Sequence, residues 1–271
     1  MRRVGVALTA VCMLVMHAGP AVAQAETTTV TLVHGFRGLL ADVYLDGERI
    51  LQGFAPARST DPTELPSGEH TVEVREADAD PASEPLLAAT LDLPPGADLS
   101  VVVHPDQDGN PTASVFDNSF DAPGDDRGRA VVRHTAVAPA VNVSVGDTAV
   151  ASALEQGDEA EGVVDAGSDE VTTVDASSSE QLLPPSRVTA EGDVTVALYL
   201  IGSATDDSLG WLSQRLDGGS GTEPIGVPTG NSGLADAAMT PWWAVAAALL
   251  ALLVLARSGQ VAYRLQQMPR D

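Results

Sequence analysis

The chain has 271 residues, 38 of them acidic and 14 basic, with a formal net charge of −24 and no lysine. So acidic a surface repels nucleic-acid phosphates and anionic headgroups, which excludes nucleic acid as a partner and favours cations, basic proteins or solubility in salty surroundings. The one cysteine, Cys12, lies in the first apolar run, so no disulfide can staple the chain and its stability must come from a buried core.

At the N-terminus, Arg2 and Arg3 precede an uncharged run from Val4 to Met16. Gly19-Pro20 breaks that run, and small residues follow at Ala21, Ala23 and Ala25. This order predicts a secretory signal peptide over residues 1–25, cleaved after Ala23 or Ala25. A run of about 13 apolar residues is short of the ~20 that cross a bilayer, which argues against an uncleaved anchor. Thr9-Ala10-Val11 before Cys12 lacks the Leu and the small residue of a lipoprotein signal.

Extended runs then alternate with turn formers: TTTVTLVH, ADVYLDGERIL, EHTVEVRE, PLLAATLDL, ADLSVVVH and TASVFDNS, separated by Asp46-Gly47, Pro66-Ser67-Gly68, Pro94-Pro95-Gly96 and Asp108-Gly109. Asp-Gly between two extended runs marks a hairpin, because both residues tolerate positive φ. Short strands at this spacing predict a β-sandwich over residues 26–120. In HPDQDGNP, Asp106, Asp108 and Asn110 offer oxygens to calcium, with Asp117, Asp121, Asp125 and Asp126 as further donors. An EF-type loop places its Gly directly after the third ligand and a Glu six residues later, whereas here Gly109 precedes Asn110 and Pro111 follows. A hairpin turn explains the same residues more simply.

After a joint over residues 121–129, the pattern repeats about 100 residues further on. VTLVHGFRGLLADVYLDGERIL corresponds to AVVRHTAVAPAVNVSVGDTAVA, LPSGEHTVEV to VDAGSDEVTTV, and LPPGADLSVVV to VTAEGDVTVAL. His34 falls on His134, Asp42 on Asn142, Val43 on Val143 and Leu45 on Val145. The expected fold is therefore all-β, two tandem Ig-like β-sandwiches, the second over residues 130–216 with a last edge near Trp211 and Leu212. Residues 217–237 are rich in Gly, Ser, Pro and Thr, the composition of a flexible stalk. From Ala238 to Ala256 runs an apolar segment of about 19 residues, or roughly 28 Å of helix, long enough to span a bilayer. Trp242 and Trp243 suit one headgroup level. Arg257, Arg264 and Arg270 follow on the other side, which assigns the tail 257–271 to the cytoplasm and the N-terminal ectodomain to the outside.

The segments carrying the repeat resemble the DUF4397 family, a domain of unknown function in exported bacterial proteins, here in two tandem copies. The family's opening, close to VHASPDAPAVDVYVDG, is similar to His34 with ADVYLDG in the first copy, where GFRGLL replaces the middle. In the second copy it is similar to His134 with APAVNV, which lacks the Pro-Asp and the Asp-Gly order. LPSGEHTVEV also resembles the family's strand-turn-strand. The resemblance implies β-sandwiches on a cell surface and brings no activity.

For catalysis the residues offer little. No Gly-x-Ser-x-Gly is present, no His pair has metal-ligand spacing, and Ser177 to Ser179 stand beside Glu180 in a polar loop. Sugar sites stack on Trp or Tyr, and the ectodomain offers Tyr44, Tyr199 and Trp211. His34 and His134, each past an opening strand, are expected to tie the following loop by hydrogen bonds. The expectation is a non-enzymatic protein without cofactor, anchored in the cell membrane by one pass, for adhesion, envelope structure or binding of a protein or glycan partner. The alternative is a ligand- or calcium-binding receptor component working with a separate membrane partner, and a hydrolase comes third.

Overall fold

β-Branched runs between turn formers fold as strands throughout residues 26–124 and 126–216, which are the residues described by the computed structural model. Residues 1–25, Asp125, and everything from 217 on, including the expected stalk, the segment 238–256, Trp242, Trp243, Arg257 and the tail, lie outside the described residues. The first half holds β1 (Thr27–His34), β2 (Ala41–Leu45), β3 (Glu48–Phe54), β4 (Arg58–Ser59), β5 (Thr63–Pro66), β6 (Gly68–Glu76), β7 (Leu87–Leu93), β8 (Asp98–Pro105) and β9 (Pro111–Asp117). The second holds β10 (Arg127–His134), β11 (Val141–Val145), β12 (Thr148–Leu154), β13 (Glu159–Asp165), β14 (Gly167–Asp175), β15 (Gln181–Ala190), β16 (Thr195–Ile201) and β17 (Gly210–Leu216). The described residues contain no helix, hence none long and apolar enough to cross a membrane.

Each half is a pair of sheets. The first combines β3-β2-β6-β7 with β4-β1-β8-β9, β5 also pairing with β1; the second combines β12-β11-β14-β15 with β13-β10-β16-β17. Neighbours are antiparallel except β1 with β8 and β10 with β16, which run parallel, so the opening strand of each half lies beside its penultimate strand. The halves thus share one strand order. The Asp46-Gly47 turn has φ angles of 51° and 81°, which fit the two-residue hairpin expected there, whereas at the matching turn only Gly146 is left-handed, at φ 54°.

The alternation of side chains fixes how the sheets stack. Val30, Leu99 and Val101 meet Val43, Val72, Leu91 and Leu93 to form the first half's own core. Val132, Val196, Leu198 and Leu200 meet Val143, Val145 and Val171 in the second. The residues between these on β1, β8, β10 and β16 point the other way, and they too are buried: Val33 and Val102 pack with Val131, Ala197, Tyr199, Ile201, Leu212 and Leu216 in a third core. The described residues therefore stack four sheets deep, with two inner sheets face to face. Nothing in the alternating pattern distinguished an inner sheet from one facing water. β10 already begins at Arg127, so residues 127–129 of the expected joint are strand.

The same ends of the two halves coincide. Gln156 of the β12–β13 loop donates to the Pro105 carbonyl at 2.9 Å, and Gln107 of the β8–β9 loop donates to the Ala138 carbonyl at 3.2 Å. The start of β1 and the end of β17, opposite Thr195, lie at the other end.

Candidate functional site

The repeat-equivalent Asp42 and Asn142 occupy a bulge. β2 pairs with β3, and β11 with β12, through a register shift between the first and third strand residues. The opposing strand accommodates it with a left-handed residue, Gly53 at φ 61° and Ala153 at φ 49°. The turned-out amide of each is captured by the bulge side chain: Gly53 N–H donates to Asp42 Oδ1 and Ala153 N–H to Asn142 Oδ1, both at 2.8 Å. One acceptor oxygen suffices, so Asp and Asn are interchangeable in this role. Asp42's second oxygen takes Arg49 Nη1 at 3.1 Å, whereas Ala149 stands in that place in the second half.

His34 and His134 end their strands and are buried. The Phe36 amide donates to His34 Nδ1 at 3.3 Å, and the ring lies 5.3 Å from that of Phe54. His134 Nε2 meets the Pro139 carbonyl at 3.1 Å. Burial lowers the His34 pKa to about 4 against a smaller upward pull from the Leu39 carbonyl, and lowers that of His134 against the Pro139 carbonyl and Asp158. Both rings are neutral at pH 7 and face the loop that follows their strand.

Asp106 closes the β8–β9 turn. Its Oδ1 accepts from the amides of Asp108 at 2.9 Å and Asn110 at 2.8 Å, and these bonds hold its carboxyl below the ordinary range. Asp106, Asp108 and Asn110 are thus knitted into a hairpin, and no group of three or more His, Cys, Asp or Glu among the described residues could hold a metal ion. Asp175 does the same for the 176–180 loop: it accepts from the Ser177 amide at 2.7 Å, the Ser177 hydroxyl at 2.6 Å and the Ser178 amide at 2.8 Å, and its pKa falls to about 2. His70 on β6 bridges Asp46 at 2.7 Å and the Pro66 carbonyl at 2.8 Å, which raises its pKa, the Asp46 contact foremost.

Among the described residues, one Ser–His hydrogen bond stands out. Ser114 Oγ lies 2.9 Å from His104 Nε2, while Nδ1 meets the Pro105 carbonyl at 2.9 Å. In a nucleophilic dyad the second ring nitrogen is oriented by a carboxylate that stabilises the imidazolium. Here it meets a neutral carbonyl, and burial, the largest cause, lowers the His104 pKa. A shallow hollow of about 320 Å³ lies elsewhere, on the outer face of β11, β12 and β14, lined by Asn142, Ser144, Ala149, Ser152, Thr172 and Val174. On the matching face of the first half, Tyr44 fills the space, with the Arg75 guanidinium 5.5 Å from its ring centroid.

Among the described residues, a buried polar cluster forms that the sequence did not single out. Arg133, fully buried on β10, donates to Glu159 at 2.9 Å, Asn118 Oδ1 at 2.9 Å, Tyr199 Oη at 2.8 Å and the Asp117 carbonyl at 2.8 Å. Its guanidinium also stands 4.8 Å from the Phe116 ring centroid. Tyr199 passes the chain on to Gln214 Oε1 at 2.6 Å, and the Ser100 hydroxyl, with one proton to give, stands 3.1 Å from Asn118 Oδ1 and 3.2 Å from Gln214 Oε1. Gln214 Nε2 reaches Thr31 at 3.3 Å. Asn118, Asp117, Phe116, Ser100 and Thr31 come from the first half and the rest from the second, so the network crosses the inner sheets. The one signal in the sequence was a charge inside an apolar strand, RAVVRHTAV.

No curated protein matches the chain. Among solved structures, the chain is similar to the crystal structure of CBMbc (family CBM26) from Eubacterium rectale Amy13K in complex with maltoheptaose, at 9% identity and a TM-score of 0.21, covering 65% of this chain and 93% of that one. Residues 28–144, from β1 through the whole first half and into β11, match the family described as Domain of unknown function (DUF4397).

Proposed function

We propose that this is a non-enzymatic cell-surface protein, exported by residues 1–25 and held on a membrane by residues 238–256, whose double β-sandwich of Ig-like type binds a protein or glycan partner in the envelope. The second half is a diverged second copy of the first. The observation that carries this reading is the placement of the ends: β1 starts and β17 stops at one end, and the loops 35–40, 106–110, 135–140 and 202–209 gather at the other. A chain tethered through Leu216 would hold those loops farthest from the membrane. They present Asp106, Asp108, Asp206 and Asp207, a surface suited to a basic partner.

The test is a protease-accessibility experiment on intact cells. A cleavage site inserted in the 106–110 turn is expected to be cut from outside while the C-terminal tail stays protected; cutting of the tail alone would overturn the topology. The non-enzymatic reading is tested separately at its weakest point. A fluorophosphonate probe is expected to leave Ser114 unlabelled, and labelling that vanishes in His104→Ala would make the protein a hydrolase.

A further inference from the structure

Because the halves share a strand order, the residues of β1, β8 and β9 have counterparts in β10, β16 and β17. Matching His34 with His134 and following the registers aligns Val33 with Arg133, Ser100 with Ala197, Val102 with Tyr199, Phe116 with Gln214 and Asn118 with Leu216. At each of these positions one half is apolar where the other is polar. The alternate positions, which face each half's own core, are alike: Val30 and Ala130, Leu32 and Val132, Leu99 and Val196, Val101 and Leu198. On the central strands β1 and β8 and their counterparts β10 and β16, the face toward each half's own core keeps its character and the other inverts it, while the edge strands β9 and β17 differ on both faces, with Val115 against Ser213 and Asp117 against Arg215.

We propose that the inner sheets are a heterotypic pairing surface: the first half's inner sheet fits the second half's and rejects its own kind, so its partner is the unlike half, of the same chain or of a second copy. The contacts carry this. Arg133 lies over Phe116 and donates to Asn118 and the Asp117 carbonyl. On the opposite flank the counterparts reverse, with Gln214 reaching Thr31 and with Val33 and Leu216 sharing one core. Two first halves placed face to face would set Val33 against Phe116 and leave Ser100 and Asn118 without Gln214 or Arg133. Two second halves would bury two guanidinium groups against Gln214 and Leu216, each having lost Asn118 and the Asp117 carbonyl. Arg133 would keep Glu159 and Tyr199 of its own half but bury guanidinium N–H groups without acceptors, and these unsatisfied charged donors make Arg133 the element that rejects the wrong partner. A tandem repeat needs such a device, because two identical inner sheets would also pair between molecules without limit.

The experiment uses the full chain with a protease site inserted between Ala122 and Pro123, in the segment joining the halves. After cleavage, two preparations carrying different tags are mixed, dissociated in urea and refolded, and the pairs are counted by native mass spectrometry. Unlike pairs are expected in about ten-fold or greater excess over like pairs, since a single charge-assisted hydrogen bond lost per like pair already shifts association that far. Like pairs in comparable amount, or halves that do not reassociate, would overturn the proposal. In the uncut chain, Arg133→Val with Gln214→Phe makes the second half's inner sheet more like the first's at two positions. Calorimetry should then show the halves unfolding in two separate transitions with the β-type far-UV spectrum retained at room temperature, and a double variant that keeps one cooperative transition would count against the device. Should that variant lose its β spectrum, the cleaved chain with native inner sheets decides alone.

Discussion

Asp42 and Asn142 do the same work with one side-chain oxygen, so each can be removed without touching the apolar core. Asp42→Ala and Asn142→Ala are each expected to lower stability by about 1–2 kcal/mol, because a bulge amide loses its acceptor; urea melts measure it, and a change under ~0.3 kcal/mol would remove the bulge role. His34 sets a pH dependence whose sign follows from burial. Its folded pKa of about 4 lies below the ordinary 6.5, so above pH 6.5 both states are neutral and the fold has its full stability. Between pH 6.5 and 4 the unfolded chain takes up the proton and the folded one does not, a loss of about 3 kcal/mol over that window. His104 and His134 are shifted in the same direction and add to it. His70 acts oppositely: its raised pKa gives stability that is full below pH 6.5 and lost as pH rises through the folded value. Denaturant midpoints at pH 7.5 and 5 should therefore fall on acidification, and His34→Phe should flatten that fall. The residues themselves were visible as repeat equivalents; their partners were not, because a hydrogen bond to an amide eleven residues away depends on a bulge that leaves no trace in composition.

Strand by strand, the opening runs were legible because β-branched alternation and Asp-Gly or Pro-Gly punctuation act locally. TTTVTLVH is β1 residue for residue. The 58–66 segment was missed as strand: Arg58–Ser59 and Thr63–Pro66 are too short and too polar to signal themselves, and pair only because β1 offers an open edge. The acidic β8–β9 turn shows how a ligand-like pattern can be consumed by local structure. Since Asp106 Oδ1 already serves two backbone amides, millimolar calcium is expected to leave the melting temperature unchanged, and a rise of several degrees would restore the metal reading. At the start of β10, a Cβ on Gly128 would lie 2.7 Å from that of Ala190 and 3.1 Å from the Glu191 carbonyl. Gly128→Val is therefore expected to force the end of β15 away and to lower the melting temperature, a strain of the overpacking kind worth about 1–3 kcal/mol; an unchanged melt would show that the outer sheet yields freely there.

In the whole molecule, the third core and the Arg133 network join the halves into one unit. A single unfolding transition is expected by calorimetry, with Arg133→Ala lowering stability by about 3 kcal/mol while leaving the halves coupled through the third core and the Gln214, Gln156 and Gln107 contacts. Two separate transitions in the unaltered protein would mean that the inner sheets do not hold the halves together. Burial explains why Arg133 tolerates full enclosure: four hydrogen-bonding partners and two aromatic rings replace its water.

The sequence alone determined the all-β class and most strands and turns of the first half, since these follow from side-chain period and turn chemistry. Tertiary structure decided that the repeats stack face to face, that His34, His134, Asp42 and Asn142 serve loops and bulges, and that a buried arginine sits between the halves. The physical reason is common to all three: a strand's alternation says that one face differs from the other, but whether a face meets water or a second sheet depends on residues about 100 positions away, which no local pattern records.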